Sequence, residues 1–239
     1  MRNLNYCWAV IGILLLLPAC KKETVKGDLL TSLRIVNVVA GGTTARLNGL
    51  TPNIANNPAT VNHATAGSAF ALLPGTPQIY VWPVGDSLNP YYNANNQVQM
   101  QANEYYTLFV GGTPASPQSV LIKESWQNYT DSVVGIRFIN MSPNSSPVNV
   151  TLSTSTGVNQ FENIAFKSYT EFKQFPATSA VASYTFQVRS AANPATVLSS
   201  VAISVSGTAA IPRFKNVTIV FRGNVGGSPA PGITRVDHY

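Results

Sequence analysis

The chain has 239 residues, a formal net charge of +6, and 10% charged residues against 45% hydrophobic ones. Its 15 lysines and arginines are scattered and form no basic stripe, which argues against a nucleic-acid-binding face. The length allows one large domain or two domains of about 100 residues each.

The first residues have the pattern of an export signal that ends at a lipid-acceptor cysteine. The apolar run over residues 8–17 is too short for a transmembrane helix, which needs about 20 residues. The Leu-Pro-Ala-Cys motif at 17–20 resembles a bacterial lipobox, which implies cleavage before Cys20 and acylation of its thiol and new amine. We therefore predict a signal peptide over 1–19 and a lipidated Cys20 with a polar tether over 20–31. The alternative is an ordinary secretory signal with a cysteine nearby.

A lipidated Cys20 would make the membrane the first partner of this protein. A diacylglycerol on the Cys20 thiol and a further acyl chain on its amine would hold the protein firmly, because stable anchoring needs about two chains. Cys7 lies in the predicted signal, so no cysteine pair is left for a disulfide or a thiolate metal site. The predicted location is the bacterial cell envelope, at the outer membrane, and the sequence does not distinguish its periplasmic face from its outer face.

Beyond the tether, the chain has the pattern of short strands separated by turns. Apolar and polar residues alternate with a period of two over 148–152, 184–188 and 201–205. Asn- and Pro-rich turn sequences separate these segments. No segment shows a convincing helical period, and residues 157–161 allow at most one weak helical turn. The pattern predicts an all-β chain built as antiparallel sandwiches.

The strand phrases occur twice, about 100 residues apart. The phrase Arg-aliphatic-aliphatic-Asn at 34–37 returns as Arg-Phe-Ile-Asn at 137–140. Two later strand phrases also return in the same order, from 78–82 to 184–188 and from 106–112 to 217–223. Internal repetition of this kind predicts two tandem domains, which we place at 32–128 and 129–239.

These phrases resemble the domain-of-unknown-function family 4397. The resemblance rests on the paired Arg-to-Asn openings, on Met141-Ser142-Pro143, on Pro74-Gly75 and Pro176-Ala177 before a strand, and on the Tyr-Thr-aliphatic closing strand at Tyr106. The first copy has Ala40-Gly41-Gly42 where Ser-Pro is expected. The resemblance covers most of residues 32–239 as two tandem copies. It implies immunoglobulin-like sandwich domains on bacterial envelope lipoproteins, with no known activity and no catalytic residues.

Residues suited to catalysis or metal binding are few. The two histidines, His63 and His238, would need further ligands, and the obvious one, Asp237, lies at a chain terminus that is usually disordered. No Gly-x-Ser-x-Gly motif occurs, and the nine acidic residues form no close pair in sequence. We therefore predict no enzyme, no metal site and no cofactor. A hydrolase stays open only if the fold brings two carboxylates into one cleft.

The aromatic residues of the first copy are the best candidates for ligand binding. Trp82 ends a predicted strand, and Tyr91 and Tyr92 lie in a Pro- and Asn-rich loop, where exposure is expected. Exposed rings stack on sugar rings, while Asn and Gln hydrogen-bond the hydroxyl groups. The alternative is core packing, because Tyr80 and Trp82 share one face of their strand.

Two short motifs suggest modification of the surface. The Asp-Ser-aliphatic motifs at Ser87 and Ser132 resemble O-glycosylation acceptors of some Gram-negative envelopes. The leading functional prediction is a lipid-anchored, non-enzymatic envelope protein with a structural or adhesive role, whose partner is an envelope or host protein. The alternative is a carbohydrate-binding lipoprotein that uses the aromatic residues of the first domain.

Overall fold

The computed structural model describes residues 29–48, 59–94, 97–205 and 213–238. All named elements within them are β-strands. The predicted signal peptide and Cys20 lie outside the described residues. The described parts of the chain contain no helix that could serve as a membrane span.

Eight strands form the first sandwich. They are β1 (Thr31–Asn37), β2 (Ala45–Asn48), β3 (Ala59–Val61), β4 (Thr65–Leu72), β5 (Tyr80–Pro83), β6 (Tyr92–Asn93), β7 (Tyr105–Thr113) and β8 (Ser116–Lys123). One sheet has the order β4-β1-β7-β8 and the other β3-β2-β5-β6. We call the first the junction sheet, because it contacts the second sandwich, and the other the distal sheet.

Eight further strands form the second sandwich. They are β9 (Val133–Asn140), β10 (Val148–Leu152), β11 (Ser155–Ile164), β12 (Lys173–Pro176), β13 (Ser183–Ser190), β14 (Val197–Ser204), β15 (Asn216–Arg222) and β16 (Gly232–His238). Its junction sheet has the order β12-β9-β15-β16 and its distal sheet β11-β10-β13-β14. The strand order of the first sandwich is therefore repeated in full, and residues 157–161 are part of a strand.

The all-β, two-sandwich prediction is confirmed, with one difference in strand direction. Each junction sheet contains a parallel pair, β1 with β7 and β9 with β15, where an antiparallel sheet was predicted. The pairing joins the first strand of each sandwich to its seventh strand. The predicted boundary at 128/129 falls between β8 and β9.

The repeated Arg-to-Asn phrase has the same structural role in both sandwiches. Asn37 donates its side-chain amide to the carbonyl of Val61, and Asn140 donates to the carbonyl of Ile164. Both bonds span 24 residues and tie the end of the first strand to the third strand. A buried amide needs such partners, so the repeated asparagine closes each sandwich at the same place.

The two sandwiches pack through their junction sheets, so that the sheets stack four layers deep. Leu33 and Ile35 face the core of the first sandwich, whereas Val36 on the same strand faces the second sandwich. Val36 belongs to a cluster that joins the two junction sheets: Val36, Val38, Phe109, Ile122, Ile139, Met141, Val220 and Val236. A sheet covered on both faces needs near-continuous apolar strands, as β7 and β15 are.

Polar residues lie within the same contact. Arg137 on β9 donates from Nη2 to Glu124 Oε1 at 2.9 Å and from Nε to Thr218 Oγ1 at 3.1 Å. Thr218 Oγ1 lies 2.8 Å from His238 Nε2. His238 is 1% exposed, so the expected disorder of the last residues was wrong for this position. Its strand, β16, pairs with β15 and is covered by the first sandwich.

Candidate binding face on the first sandwich

The solvent-facing side of the first distal sheet carries an aromatic pair and a single charge. On β5, Val81 points into the core, so its neighbours Tyr80 and Trp82 point outward. On β2, Ala45 and Leu47 are buried, and Arg46 between them is exposed. The alternation of these two strands therefore places Tyr80, Trp82 and Arg46 on one surface.

Strand register brings these side chains together. Arg46 pairs with Trp82 on one side and with Thr60 on the other, while Tyr80 pairs with Asn93 on β6. Directly opposed residues in an antiparallel pair have Cβ atoms about 4.5–5.5 Å apart. The rings of Tyr80 and Trp82 lie 5.4 Å apart between centroids, at an interplanar angle of 44°. We call the surface formed by Arg46, Thr60, Tyr80, Trp82 and Asn93 the aromatic face.

A surface hollow adjoins the aromatic face. It has a volume of about 260 Å³ and is lined by Gln78, Ile79, Tyr80 and Asn93. Two carboxamides can each donate and accept hydrogen bonds, and Tyr80 supplies a ring edge. This size and chemistry suit a single sugar ring with its hydroxyl groups, because sites for larger organic ligands span about 300–1,000 Å³.

The loop beside the aromatic face is held by its own hydrogen bonds. Tyr80 donates its hydroxyl to the carbonyl of Ser87 at 2.6 Å. Asp86 Oδ1 accepts from the amides of Leu88 and Asn89, both at 3.2 Å, and Asp86 Oδ2 accepts from Asn89 Nδ2 at 2.8 Å. The Asn89 side-chain bond, with the two backbone bonds, lowers the pKa of Asp86. Leu88 is left projecting, with 88% exposure.

The three predicted ligand-binding residues do not share one surface. Trp82 is partly exposed on the aromatic face. Tyr91 is 4% exposed and lies in the core, where its hydroxyl oxygen accepts the amide of Thr43 at 3.1 Å. Tyr92 pairs with Val81 and so faces the core side, where burial raises the pKa of its hydroxyl. The structure thus corrects the exposure expected for Tyr91 and separates both tyrosines from Trp82.

Sequence reasoning did not assign Arg46, Thr60 and Asn93 to the aromatic face or Gln78 to the adjoining hollow. Arg46 could have been found, because a charged residue between buried Ala45 and Leu47 must face outward. Gln78 shares the alternation of Tyr80 and Trp82 and could have been found in the same way. The positions of Thr60 and Asn93 had no such signal, since they depend on the pairing of β2 with β3 and of β5 with β6. The predicted glycosylation residues lie elsewhere: Ser87 is exposed in the adjoining loop, and Ser132 lies before β9 with its carbonyl accepting the amide of Ala177.

The corresponding surface of the second sandwich has different chemistry. On β13, Phe186 and Val188 face the core, so Gln187 and Arg189 face outward. Arg189 donates to Thr151, Gln187 and the carbonyl of Pro194, at 3.1, 2.6 and 2.8 Å. The guanidinium is thus occupied by neighbours of its own sandwich. Only the first distal sheet places an aromatic pair on this side of its described strands.

The described residues assemble no cluster of side chains that could hold a metal ion. No three His, Cys, Asp or Glu side chains within them lie close enough to hold a metal ion. His63 Nε2 lies 2.8 Å from the carbonyl oxygen of Val39, whereas His238 Nε2 lies 2.8 Å from Thr218 Oγ1. Three of the acidic residues, Glu104, Glu124 and Asp237, form ion pairs with lysine or arginine.

Comparison with known proteins identifies a family but no activity. A family model described as "Domain of unknown function (DUF4397)" matches residues 31–151, which is 121 of the 239 residues. That span contains the whole first sandwich, together with β9 and most of β10. No curated protein matches the chain.

One solved structure similar to the chain is the tip fimbrial protein Mfa3 from Porphyromonas gingivalis with a C-terminal truncation. The identity is 9%, and the match covers 87% of this chain and 100% of that chain, with a TM-score of 0.22. A score this low does not establish a shared fold.

Proposed function

The chain belongs to the DUF4397 family, whose description states no activity, and we therefore propose its function from the residues on its surface. We propose a lipid-anchored, non-enzymatic binding protein of the bacterial cell envelope, which binds carbohydrate through the aromatic face. The observation that supports it most is the pairing of Trp82 with Arg46 beside Tyr80 and a hollow lined by carboxamides. Aromatic rings cover the apolar face of a sugar, and polar groups around them fix its hydroxyls.

The two sandwiches are proposed to be tandem copies of the family domain. The repeated strand order and the Asn37 and Asn140 bonds, each spanning 24 residues, support this proposal. The aromatic face occurs on the first copy. The second copy, packed against it through the junction cluster, would then act as a rigid support.

The lipid anchor is proposed from the motif that ends at Cys20. The predicted tether over 20–31 leads directly into β1 of the first sandwich. The protein would thus be held at the envelope, with the outer membrane as the proposed location, on either of its faces.

Binding of the full chain in detergent to a panel of neutral and acidic polysaccharides tests the carbohydrate proposal. We expect Trp82→Ala to abolish binding and Trp82→Phe to retain part of it. The matched control is Phe214→Ala, which removes another exposed aromatic ring from the second sandwich and should leave binding unchanged. Absence of binding across the whole panel, or full binding by Trp82→Ala, would reject the proposal.

A second candidate function is adhesion to an envelope or host protein. Leu88 favours it, because an 88% exposed leucine on a loop held by Asp86 presents apolar surface with less of the loop left to be ordered on binding. Capture of a protein by the wild-type chain, lost in Leu88→Ser but kept in Trp82→Ala, would support this candidate over carbohydrate binding.

A further inference from the structure

Strand β14 is an unusual edge for a natural sheet. Edge strands expose unpaired backbone groups, and proteins protect them with charges, prolines, bulges or short length. β14 has a register irregularity near its start, opposite Arg189, but its remaining residues 199–204 contain neither a charged residue nor a proline, and Ser200, Ala202 and Ser204 are exposed. The other edges carry protection: Gly67 beside a bulge in β4, Pro117 and Lys123 in β8, Glu162 with irregular register in β11, Lys173 and Pro176 in β12, Arg235 in β16, and short length in β3 and β6.

One hydrogen bond shows which backbone groups of β14 point away from β13. The amide of Val205 donates to the carbonyl of Ala182 at 2.9 Å, so this pair is a hydrogen-bonded one. Such pairs alternate along an antiparallel ladder. The N–H and C=O groups of Ser200, Ala202 and Ser204 therefore point away from β13. No other described strand pairs with β14 on that side.

The sequence of this edge gives the same order of side-chain types whether it is followed from residue 200 or from residue 204. Residues 200–204 are Ser-Val-Ala-Ile-Ser, that is, hydroxyl, aliphatic, small, aliphatic, hydroxyl. Ile203 is fully buried and Val201 packs against the core, while the other three residues face solvent. A two-fold contact requires one surface to complement itself. Two antiparallel copies centred on Ala202 would place Ser200 opposite Ser204 and Val201 opposite Ile203 of the second copy.

We propose that two copies of this chain associate through β14, with a two-fold axis at Ala202. The two distal sheets would join into one continuous sheet, with both aliphatic faces on the same side. Three N–H groups from each copy would form about six inter-chain backbone hydrogen bonds. The contact also brings no charges together, which suits two molecules that each carry a formal net charge of +6. The proposal is independent of what the aromatic face binds.

Sedimentation velocity of the full chain in detergent tests the association. We expect a dimer in the wild type and a monomer in Ala202→Lys, where two ammonium groups would face each other across the axis. Thr185→Lys is the matched control, because Thr185 lies directly beside Ala202 on the central strand but not at the edge. It should stay dimeric. A wild-type monomer up to about 100 µM, or a dimeric Ala202→Lys, would overturn the proposal.

Cysteine cross-linking tests the register. In a chain with Cys7→Ser and Cys20→Ser, we expect Ala202→Cys to form a disulfide-linked dimer, because opposed Cα atoms lie about 5.5 Å apart. Ser200→Cys should not cross-link, since its counterpart in the second copy lies about four residues away along the strand. Adding Ser204→Cys to Ser200→Cys should restore the cross-link. Linkage through Ser200→Cys alone would contradict the proposed axis.

Discussion

Arg137 and Glu124 pair across the contact between the two sandwiches. Arg137 Nη2 lies 2.9 Å from Glu124 Oε1, and the side chains are 4% and 0% exposed. The guanidinium also lies over the ring of Phe172, 4.6 Å from its centroid, and donates to Thr218. Because both charges are buried, the folded state needs each of them to balance the other: a buried ion without its partner costs several kcal/mol of stability, about 3–5 kcal/mol.

Replacing one member of this pair should be costly. We expect Glu124→Gln to lower the free energy of unfolding by about 3–5 kcal/mol, because it leaves the buried Arg137 without a counter-charge. Urea denaturation measures the change. Glu104→Gln is the control: its pair with Lys123 is partly exposed to solvent, so the expected loss is about 0–1 kcal/mol. Equal losses in the two variants would show that the Arg137 pair contributes no more than a surface pair.

His238 should make the protein less stable in acid. Burial, with the charges of Arg137 and Arg34, lowers the pKa of His238 to about 3. The folded state therefore keeps this imidazole neutral as pH falls below about 6.5, while the unfolded state gains a proton. Stability should fall by about 1.4 kcal/mol per pH unit between those values from this residue alone. Urea denaturation across pH should show a shallower slope in His238→Gln than in the wild type. Parallel slopes for the two proteins would refute this linkage.

Gly135 has no room for a side chain. A Cβ at this position would collide with the hydroxyl of Tyr129, which donates to Asn216 Oδ1 at 3.1 Å. We expect Gly135→Ala to destabilise the protein by about 1–3 kcal/mol, as overpacking does. Thermal unfolding measures the loss, with Gly157→Ala as the control, because an added Cβ there has no neighbour within 4 Å. A stable Gly135→Ala would mean that Tyr129 moves aside without cost.

Arg46 should determine the preference among polysaccharides, if the aromatic face binds them. Its guanidinium forms no hydrogen bond or ion pair with any other residue that the structure describes, so it is available to a carboxylate. We expect Arg46→Gln to weaken binding of a uronate-containing polysaccharide about tenfold or more and binding of a neutral one little. Calorimetry on both ligands measures the difference. An equal loss for both would point to a structural role for Arg46.

Cys20 should decide membrane attachment. Without its thiol the proposed lipidation has no acceptor, so Cys20→Ala should appear in the soluble fraction or remain unprocessed. Fractionation with immunoblotting checks this, and Cys7→Ala is the control. A normally processed, membrane-bound Cys20→Ala protein would exclude this mode of anchoring.

Sequence patterns predicted much of the fold, because alternation determines which residues share a face. The alternation of Val148 and Val150 and the repeated Arg-to-Asn phrase correctly predicted the strands and the two sandwiches. Alternation does not specify what covers a face. It therefore could not predict that Val36 would pack on the second sandwich, or that Tyr91 would turn from its loop into the core.

The candidate site was predicted only in part, for the same reason. Trp82 and Tyr80 share a face by their spacing, which the sequence shows directly. Asn93 joins them through the pairing of β5 with β6, which depends on tertiary contacts and not on local pattern. The buried pair of Arg137 with Glu124 depends likewise on two sandwiches meeting, and no local signal marks it.

The parallel pairing of first and seventh strands affects how the chain reaches this structure. Neither β1 nor β9 can find its central partner until a segment of roughly 70–80 residues has closed into a loop, which carries an entropic cost. Folds dominated by such distant pairings typically fold in milliseconds to seconds. We expect each sandwich to fold in milliseconds to seconds, which would leave the chain unfolded for the export proposed above. Stopped-flow refolding would show this, and a microsecond folding phase would contradict it.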